Sequence, residues 1–327
     1  MKNSVFNSLV VTATLTSIFS AIAPIFITQP AFADNVQTSA NLSSKARFEG
    51  KVNYVVTGGT LRSGSNSSYS SAAGLNSSST ANLSGIPNGA TIKKAYLYWA
   101  GSGSTIDSQV TFAGNNLTAD RLYKENISSK DFFQGVKDVT NIVKEKLNGS
   151  YAFSNLSVDN GGAYYNSQTT LSGWSLVVIY EDNAITKANT IDLYEGFKGS
   201  SYSQFNYSLT DIKVSASPVA KFSALAWEGD STLGTDGEYL KFNNNNLTDA
   251  DNPDDNVFNS SINSIGKGAN TTYGVDLDTF DVSSKVTAGQ TSITGNVGTG
   301  QDLVLQGAAI IMVTDDLANP ADTQVPD

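Results

Sequence analysis

The sequence predicts an all-β protein built from two tandem, related β-sandwich domains of jelly-roll type, each with one short helix. Three observations carry this. Short runs of β-branched and aromatic residues alternate with clusters of Gly, Asn and Ser along the chain, which is the pattern of layered sheets rather than of an α/β enzyme. A block from Thr91 to Asp182 recurs, much diverged, from Pro218 to Asp316. The 327-residue chain has no Cys, so burial alone must hold it, and two units of roughly 100 to 150 residues are large enough for that.

The recurrence rests on four segments in the same order. Tyr98-Trp99-Ala100-Gly101 matches Ala226-Trp227-Glu228-Gly229, and Phe112 to Thr118 matches Phe242 to Thr248. Asp138 to Val143 returns as Asp281 to Val286, and Gly173 to Asp182 returns without a gap as Gly307 to Asp316.

Each element has its own signal. The leading residues, an apolar and hydroxyl-rich stretch ending in Pro30-Ala31-Phe32-Ala33-Asp34, read as a secretory signal cleaved after Ala33, because Pro24 and scattered Ser, Thr and Asn interrupt the apolar run a membrane span needs. Arg47 to Val56 reads as a strand. Gly58 to Gly85, rich in Ser, Asn and Gly, reads as a crossover. Thr91 to Trp99 alternates, with Ala95, Leu97 and Trp99 on one face and Tyr96 and Tyr98 on the other; Ser223, Leu225 and Trp227 repeat the pattern. Further strands are expected at Gln109 to Ala113, Ser150 to Val158, Leu176 to Tyr180, Thr190 to Tyr194, Phe205 to Ala216, Thr291 to Gly295 and Leu303 to Val313. Val139, Ile142, Val143 and Leu147 share a helical face that Gly149 ends, and Val282 and Val286 repeat a shorter version before Gly289. The expected organisation is a signal peptide over 1–33, a first sandwich over 34–217, a second over 218–316 and a polar tail over 317–327.

Charge and composition narrow the chemistry. Lys and Arg number 20 against 30 Asp and Glu, a net charge of −10. Such a chain repels phosphate backbones and anionic membranes, so neither nucleic acid nor membrane insertion after signal cleavage is expected. An exported chain of this size without Cys points to a bacterial, extracellular setting. There is no His either, which excludes His-based triads, thiol nucleophiles and ordinary zinc sites. Carboxylate chemistry and hard-metal coordination remain. Glu181, Glu195, Glu228 and Glu238 are the carboxylates a glycosidase would draw on, but no spacing marks a pair, and the expectation is that the protein is not an enzyme.

Two small constellations stand out. Asp249, Asp251, Asp254 and Asp255 place four carboxylates in seven residues around Pro253, a candidate calcium loop whose bland counterpart is an acidic solvated loop. A second acidic stretch runs from Glu228-Gly229-Asp230 to Asp236-Gly237-Glu238. Of the 14 Tyr and three Trp, Trp99 and Trp227 read as packing anchors. Tyr164, Tyr165 and Tyr202, in turn-like surroundings, read as exposed contacts of the kind adaptable binding surfaces use.

The segments Ala95 to Gly101, Val110 to Gly114, Gly173 to Glu181 and Ile191 to Phe197 resemble a family of poorly characterised β-rich domains in secreted bacterial and archaeal surface proteins. That resemblance implies an adhesin-like surface component and carries no catalytic residues. The chain shows no sorting motif, membrane tail or stalk repeats, so release, non-covalent association or polymer assembly is expected in place of covalent anchoring. The function expected is adhesion or assembly at the cell surface or in the extracellular matrix, including a fibre subunit, with calcium the one cofactor considered. Partners would be further copies, surface proteins or glycans. The alternative is a secreted protein that binds or cleaves carbohydrate.

Overall fold

Four β-sheets lie in layers, and three apolar cores separate them. The computed structural model describes residues 36–65, 74–233, 237–268 and 271–319. The expected signal peptide over 1–33 and the tail beyond 319 lie outside the described residues. The described residues cluster as one unit.

The strands in chain order are β1 (Val36–Thr38), β2 (Ala40–Gly50), β3 (Val52–Thr60), β4 (Ser78–Leu83), β5 (Thr91–Ser102), β6 (Gln109–Phe112), β7 (Asn115–Thr118), β8 (Arg121–Ile127) and β9 (Lys130–Asp138). Helix α1 (Thr140–Lys146), β10 (Gly149–Ser154), the one-turn α2 (Gly162–Tyr165), β11 (Ser172–Glu181), β12 (Asn189–Ser200) and β13 (Gln204–Leu209) follow. The chain continues with β14 (Ala220–Trp227), β15 (Glu238–Phe242), β16 (Asn245–Asn246), β17 (Val275–Asp281), β18 (Ile293–Thr299) and β19 (Val304–Thr314).

The first inner sheet has the order β1-β8-β9-β5-β11-β3 and its outer sheet β4-β10-β6-β7. The second inner sheet is β17-β14-β19-β12-β2 and its outer sheet β13-β18-β15-β16. Set side by side, β9-β5-β11-β3 corresponds to β17-β14-β19-β12, and β4-β10-β6-β7 to β13-β18-β15-β16. Local geometry follows suit. The β6–β7 hairpin turns through Ala113 and Gly114, and the β15–β16 hairpin through Asn243 and Asn244, all four at positive φ, as a two-residue turn matched to strand twist requires.

Sheet membership does not follow the expected division at Ser217-Pro218. Strands β12 and β13 precede it, yet β12 pairs with β19 and β13 with β18. The Arg47 to Val56 segment, expected as one strand, is the end of β2 and the start of β3. These belong to different inner sheets and part at Gly50, whose φ of 112° is open to glycine. Residues 78–83, expected within a crossover, form β4 on an outer edge.

Inner strands are buried on both faces. Ala95, Leu97 and Trp99 of β5 pack into the first sheet pair with Phe112, Phe153 and Trp174, while Tyr96, Tyr98 and Ala100 join the core between the two inner sheets. In β14 the faces are exchanged. Phe222, Ala224 and Ala226 fill the second sheet pair, and Leu225 and Trp227 face the central core. Trp99 and Trp227 are thus both fully buried anchors, but of different cores. Matching them residue for residue is one position out of phase, because a slip of one residue moves a strand's side chains to the opposite face.

The helix forms where expected. Asp138 Oδ1 accepts hydrogen bonds from the Thr140 amide at 2.9 Å and hydroxyl at 2.5 Å, Lys144 and Lys146 sit in the last turn where the helix dipole favours cations, and Val143 is buried. Its counterpart is a single 3-10 turn, Ser283–Lys285.

Polar groups fasten the central core. Glu195 of β12 accepts from Arg121 Nε at 2.6 Å and a second guanidinium nitrogen at 2.7 Å, and from the Tyr123 and Tyr98 hydroxyls at 2.7 and 3.1 Å. Gln134 of β9 donates to the Gly196 carbonyl at 2.9 Å and accepts from Trp227 Nε1 at 2.9 Å. Each bond joins one inner sheet to the other.

Candidate functional site

Strand β14 ends at Trp227, and the next residue, Glu228, takes a φ of 79° while its amide donates to the Gly274 carbonyl at 2.8 Å. This turn swings Glu228 and Asp230 toward one end of the second sheet pair. Asp302 reaches the same end from the connection between β18 and β19, and its Oδ2 accepts from the Asp230 amide at 2.7 Å. One carboxylate oxygen from each of Glu228, Asp230 and Asp302 can be chosen so that all lie within 4.8 Å of one another. Glu228 and Asp302 are buried, and Asp230 is half-buried.

Three more carboxylates line the same interior. Asp276 and Asp278 of β17 stand opposite Ala226 and Ala224 and share their inward face. Glu238 opens β15 with its Oε1 accepting from the Phe258 amide at 2.5 Å. Asp276 Oδ1 accepts from the Ser261 amide at 3.1 Å, and Asp278 Oδ1 from the Ser261 hydroxyl at 3.2 Å. The second oxygens of Glu238, Asp276 and Asp278 are buried and have no hydrogen-bond partner among the described residues.

Burying anionic oxygens together favours their protonated forms. Burial pushes Glu238 up to about 8, with the charges of Asp255 and Asp278 adding to it. Asp276 and Asp302 are held well above the ordinary carboxylate range, first by burial and then by Asp278 and Asp230 respectively. Asp278 is raised mainly by burial. Arg62 approaches from the first sheet pair, 1% exposed, donating to the Thr170 and Gly64 carbonyls at 2.7 and 2.9 Å. Burial lowers its pKa, and the charges of Glu228 and Asp230 counter that.

Of the residues singled out from the sequence, Asp249, Asp254 and Asp255 are exposed and Asp251 is half-buried. Asp249 Oδ1 accepts the amides of Asp251 and Asn252, each at 2.9 Å, which folds the loop on itself. The carboxylates the fold gathers include Glu228, Asp230 and Glu238 of the second acidic stretch, whose Asp236 lies outside the described residues, completed by residues sequence reading passed over. Asp276, Asp278 and Asp302 lie far along the chain; the available signal was Val275-Asp276-Leu277-Asp278, where acids alternate with apolar residues on a strand.

The tyrosines separate. Tyr164 is not a surface contact: it is 5% exposed, its hydroxyl donates to the Asp131 carbonyl at 3.0 Å, and its ring meets Phe132 edge-on. The one-turn helix α2 turns it inward. Tyr165 is half-buried, and Tyr202 is 70% exposed at a φ of 52°.

Fold and site together define a layered, all-β protein with a buried carboxylate cluster at one end of its second sheet pair. The chain belongs to the family described as protein of unknown function (DUF3344), whose profile matches residues 43–262. That match crosses Ser217-Pro218 and takes in Glu228, Asp230 and Glu238. No curated protein matches. Among solved structures, wild-type BuGH86 in complex with neoagarooctaose is 10% identical, with 85% of this chain matched to 34% of that one and a TM-score of 0.22. The chain therefore spans about a third of that protein. The major capsid protein P2 from Bacteriophage PM2 is 12% identical over 74% of this chain and 100% of that one, and PNGase F from Flavobacterium meningosepticum 10% over 81% and 96%, each with a TM-score of 0.22. Among the described residues no helix is long and apolar enough to cross a membrane.

Proposed function

We propose that the chain is an exported, non-enzymatic component of a cell surface or extracellular matrix that acts by adhesion or by assembly with further copies. The observation that carries this reading is the structural pairing of Glu195 and Glu181, two of the four acids a glycosidase would draw on. Glu195 accepts four hydrogen bonds that join the inner sheets. Glu181 pairs with Lys93 at 3.3 Å, and Glu238 is turned inward. Among the large side chains that face outward are Tyr202, Val219 and Leu317, 70, 54 and 61% exposed.

In the fibre version, a strand of one copy completes a sheet of the next. The N-terminal segment supplies a geometry for this: β1 pairs in parallel with β8, and β2 lies on the edge of the second inner sheet against β12. These strands are already bonded within their own chain, so assembly through them proceeds by exchange between copies.

The test is light scattering and negative-stain microscopy of residues 34–327, beside a form lacking 34–44. Oligomers or filaments that the deletion abolishes support exchange, and oligomers that persist support assembly through another surface. A monomer that binds or cleaves arrayed glycans overturns the reading in favour of a carbohydrate-directed protein.

A further inference from the structure

We propose that Glu228, Asp230 and Asp302 bind a divalent cation of the calcium type inside the second sheet pair. This site is distinct from the acidic loop Asp249 to Asp255 and does not rest on the adhesive or assembly role.

The donor set consists of carboxylate oxygens alone, which suits hard cations. Calcium holds oxygens at about 2.3–2.6 Å, so two of them on opposite sides of one ion stand up to about 5 Å apart. The three carboxylates offer oxygens within 4.8 Å of one another. The three ligands come from two connections distant in sequence, and the bond from the Asp230 amide to Asp302 ties those connections together at 2.7 Å.

A separate observation points at a ligand. Asp276 is fully buried, and its Oδ2 has no partner among the described residues. That oxygen lies 2.5 Å from where a Cβ on Gly229 would stand, so it is aimed at the backbone between Glu228 and Asp230. A Cβ there would also come within 2.2 Å of the Phe258 carbonyl oxygen, so the close approach of Phe258 and Asp276 to this backbone requires glycine. Glu238, 2% exposed, presents a second unpartnered oxygen to the same interior, and its charge is felt by both Asp276 and Asp302. Arg62 brings one positive charge against the pair Glu228 and Asp230. Asp230 is the half-buried member of the three.

The experiment uses residues 34–327 freed of metal with a chelator. Calcium is titrated by calorimetry and by thermal unfolding, and Tb³⁺ luminescence is excited through Trp227, which immediately precedes Glu228. Expected are saturable calcium binding, sensitised Tb³⁺ emission that calcium displaces, and a melting temperature roughly 4–8 °C higher at a hundredfold excess over Kd. D302N and D230N should each weaken binding at least about tenfold, whereas D254N should bind as the parent does. If D302N does not fold, E228Q and displacement of Tb³⁺ from the parent carry the test. No calcium binding up to about 10 mM overturns the proposal. So does binding that is lost in D254N but kept in D302N and D230N, which would place the ion on the Asp249 to Asp255 loop. Equal binding by all variants also overturns it.

Discussion

Arg121 on β8 and Glu195 on β12 meet across the seam between the two inner sheets, in a two-pronged pair at 2.6 and 2.7 Å. Burial works against the Arg121 charge, and the Glu195 hydrogen bonds and charge more than offset it, holding the guanidinium above its usual pKa. The same carboxylate, after burial itself, raises Tyr98 and Tyr123, keeping both hydroxyls as donors. Glu195→Ala would leave that guanidinium and two hydroxyls without their acceptor. The expected loss is about 3–5 kcal/mol, read from the urea midpoint. Replacing both partners by Met should cost less than Glu195→Ala alone, because no buried charge is then stranded.

Gly135 on β9 faces Trp99, and a Cβ there would lie 2.2 Å from the indole. Trp99 cannot retreat, since its Nε1 donates to the Asp107 carbonyl at 2.9 Å and its ring is fully buried. Gly135→Ala is expected to destabilise by about 1–3 kcal/mol or more, with a fall in melting temperature as the check.

Lys221 lies over the Tyr54 ring, 4.2 Å from its centroid, and donates to the Tyr54 carbonyl at 2.9 Å. Burial lowers its pKa to about 8, partly offset by Asp281. The folded state therefore releases this proton near pH 8, while the unfolded chain keeps it to about 10.4. Where the unfolded state binds more protons, stability rises with pH. The contribution of Lys221 is thus unfavourable below pH 8 and is relieved between about pH 8 and 10.4. Lys221→Met should be more stable than the parent at pH 7, and the gap should narrow by pH 10. Urea unfolding of both proteins across that range checks it.

Tyr164 and Tyr202 should part company under mutation. Tyr164→Phe removes the hydroxyl that bonds the Asp131 carbonyl and accepts from its amide at 3.3 Å, at a cost of about 1 kcal/mol. Tyr202→Ser, at an exposed position, should change stability by less than about 0.5 kcal/mol. If the outward surface serves adhesion or assembly, Tyr202→Ser should weaken it, measured by light scattering or surface adherence.

Much of the layered fold was legible locally. Alternation in β5 and β14 and the helical face of Val139 and Val143 are each written within a few residues. The phase between the halves was not. Ala95-Tyr96-Leu97-Tyr98-Trp99 is apolar or aromatic at every position, so its composition does not tell which face enters the sheet pair and which meets the other inner sheet. Only the packing of one inner sheet on the other assigns Trp99 to the first core and Trp227 to the central one.

The candidate site divides in the same way. Clustered acids at Asp249 to Asp255 are conspicuous in a linear reading because they are adjacent, yet adjacent residues in an exposed turn splay toward water. Glu228, Asp230, Asp276 and Asp302 are scattered over 75 positions and converge only when β14, β17 and the β18–β19 connection reach one end of the same sheet pair.

By itself the sequence determined the all-β class, the positions of strands such as β5, β14 and β19 and the exclusion of His and Cys chemistry, since these follow from residue identity and short-range periodicity. Tertiary structure decided which sheet each strand joins, which face each inner strand turns to which core, and which carboxylates meet. Those outcomes depend on hydrogen bonds and packing between residues far apart in the chain, which no local pattern encodes.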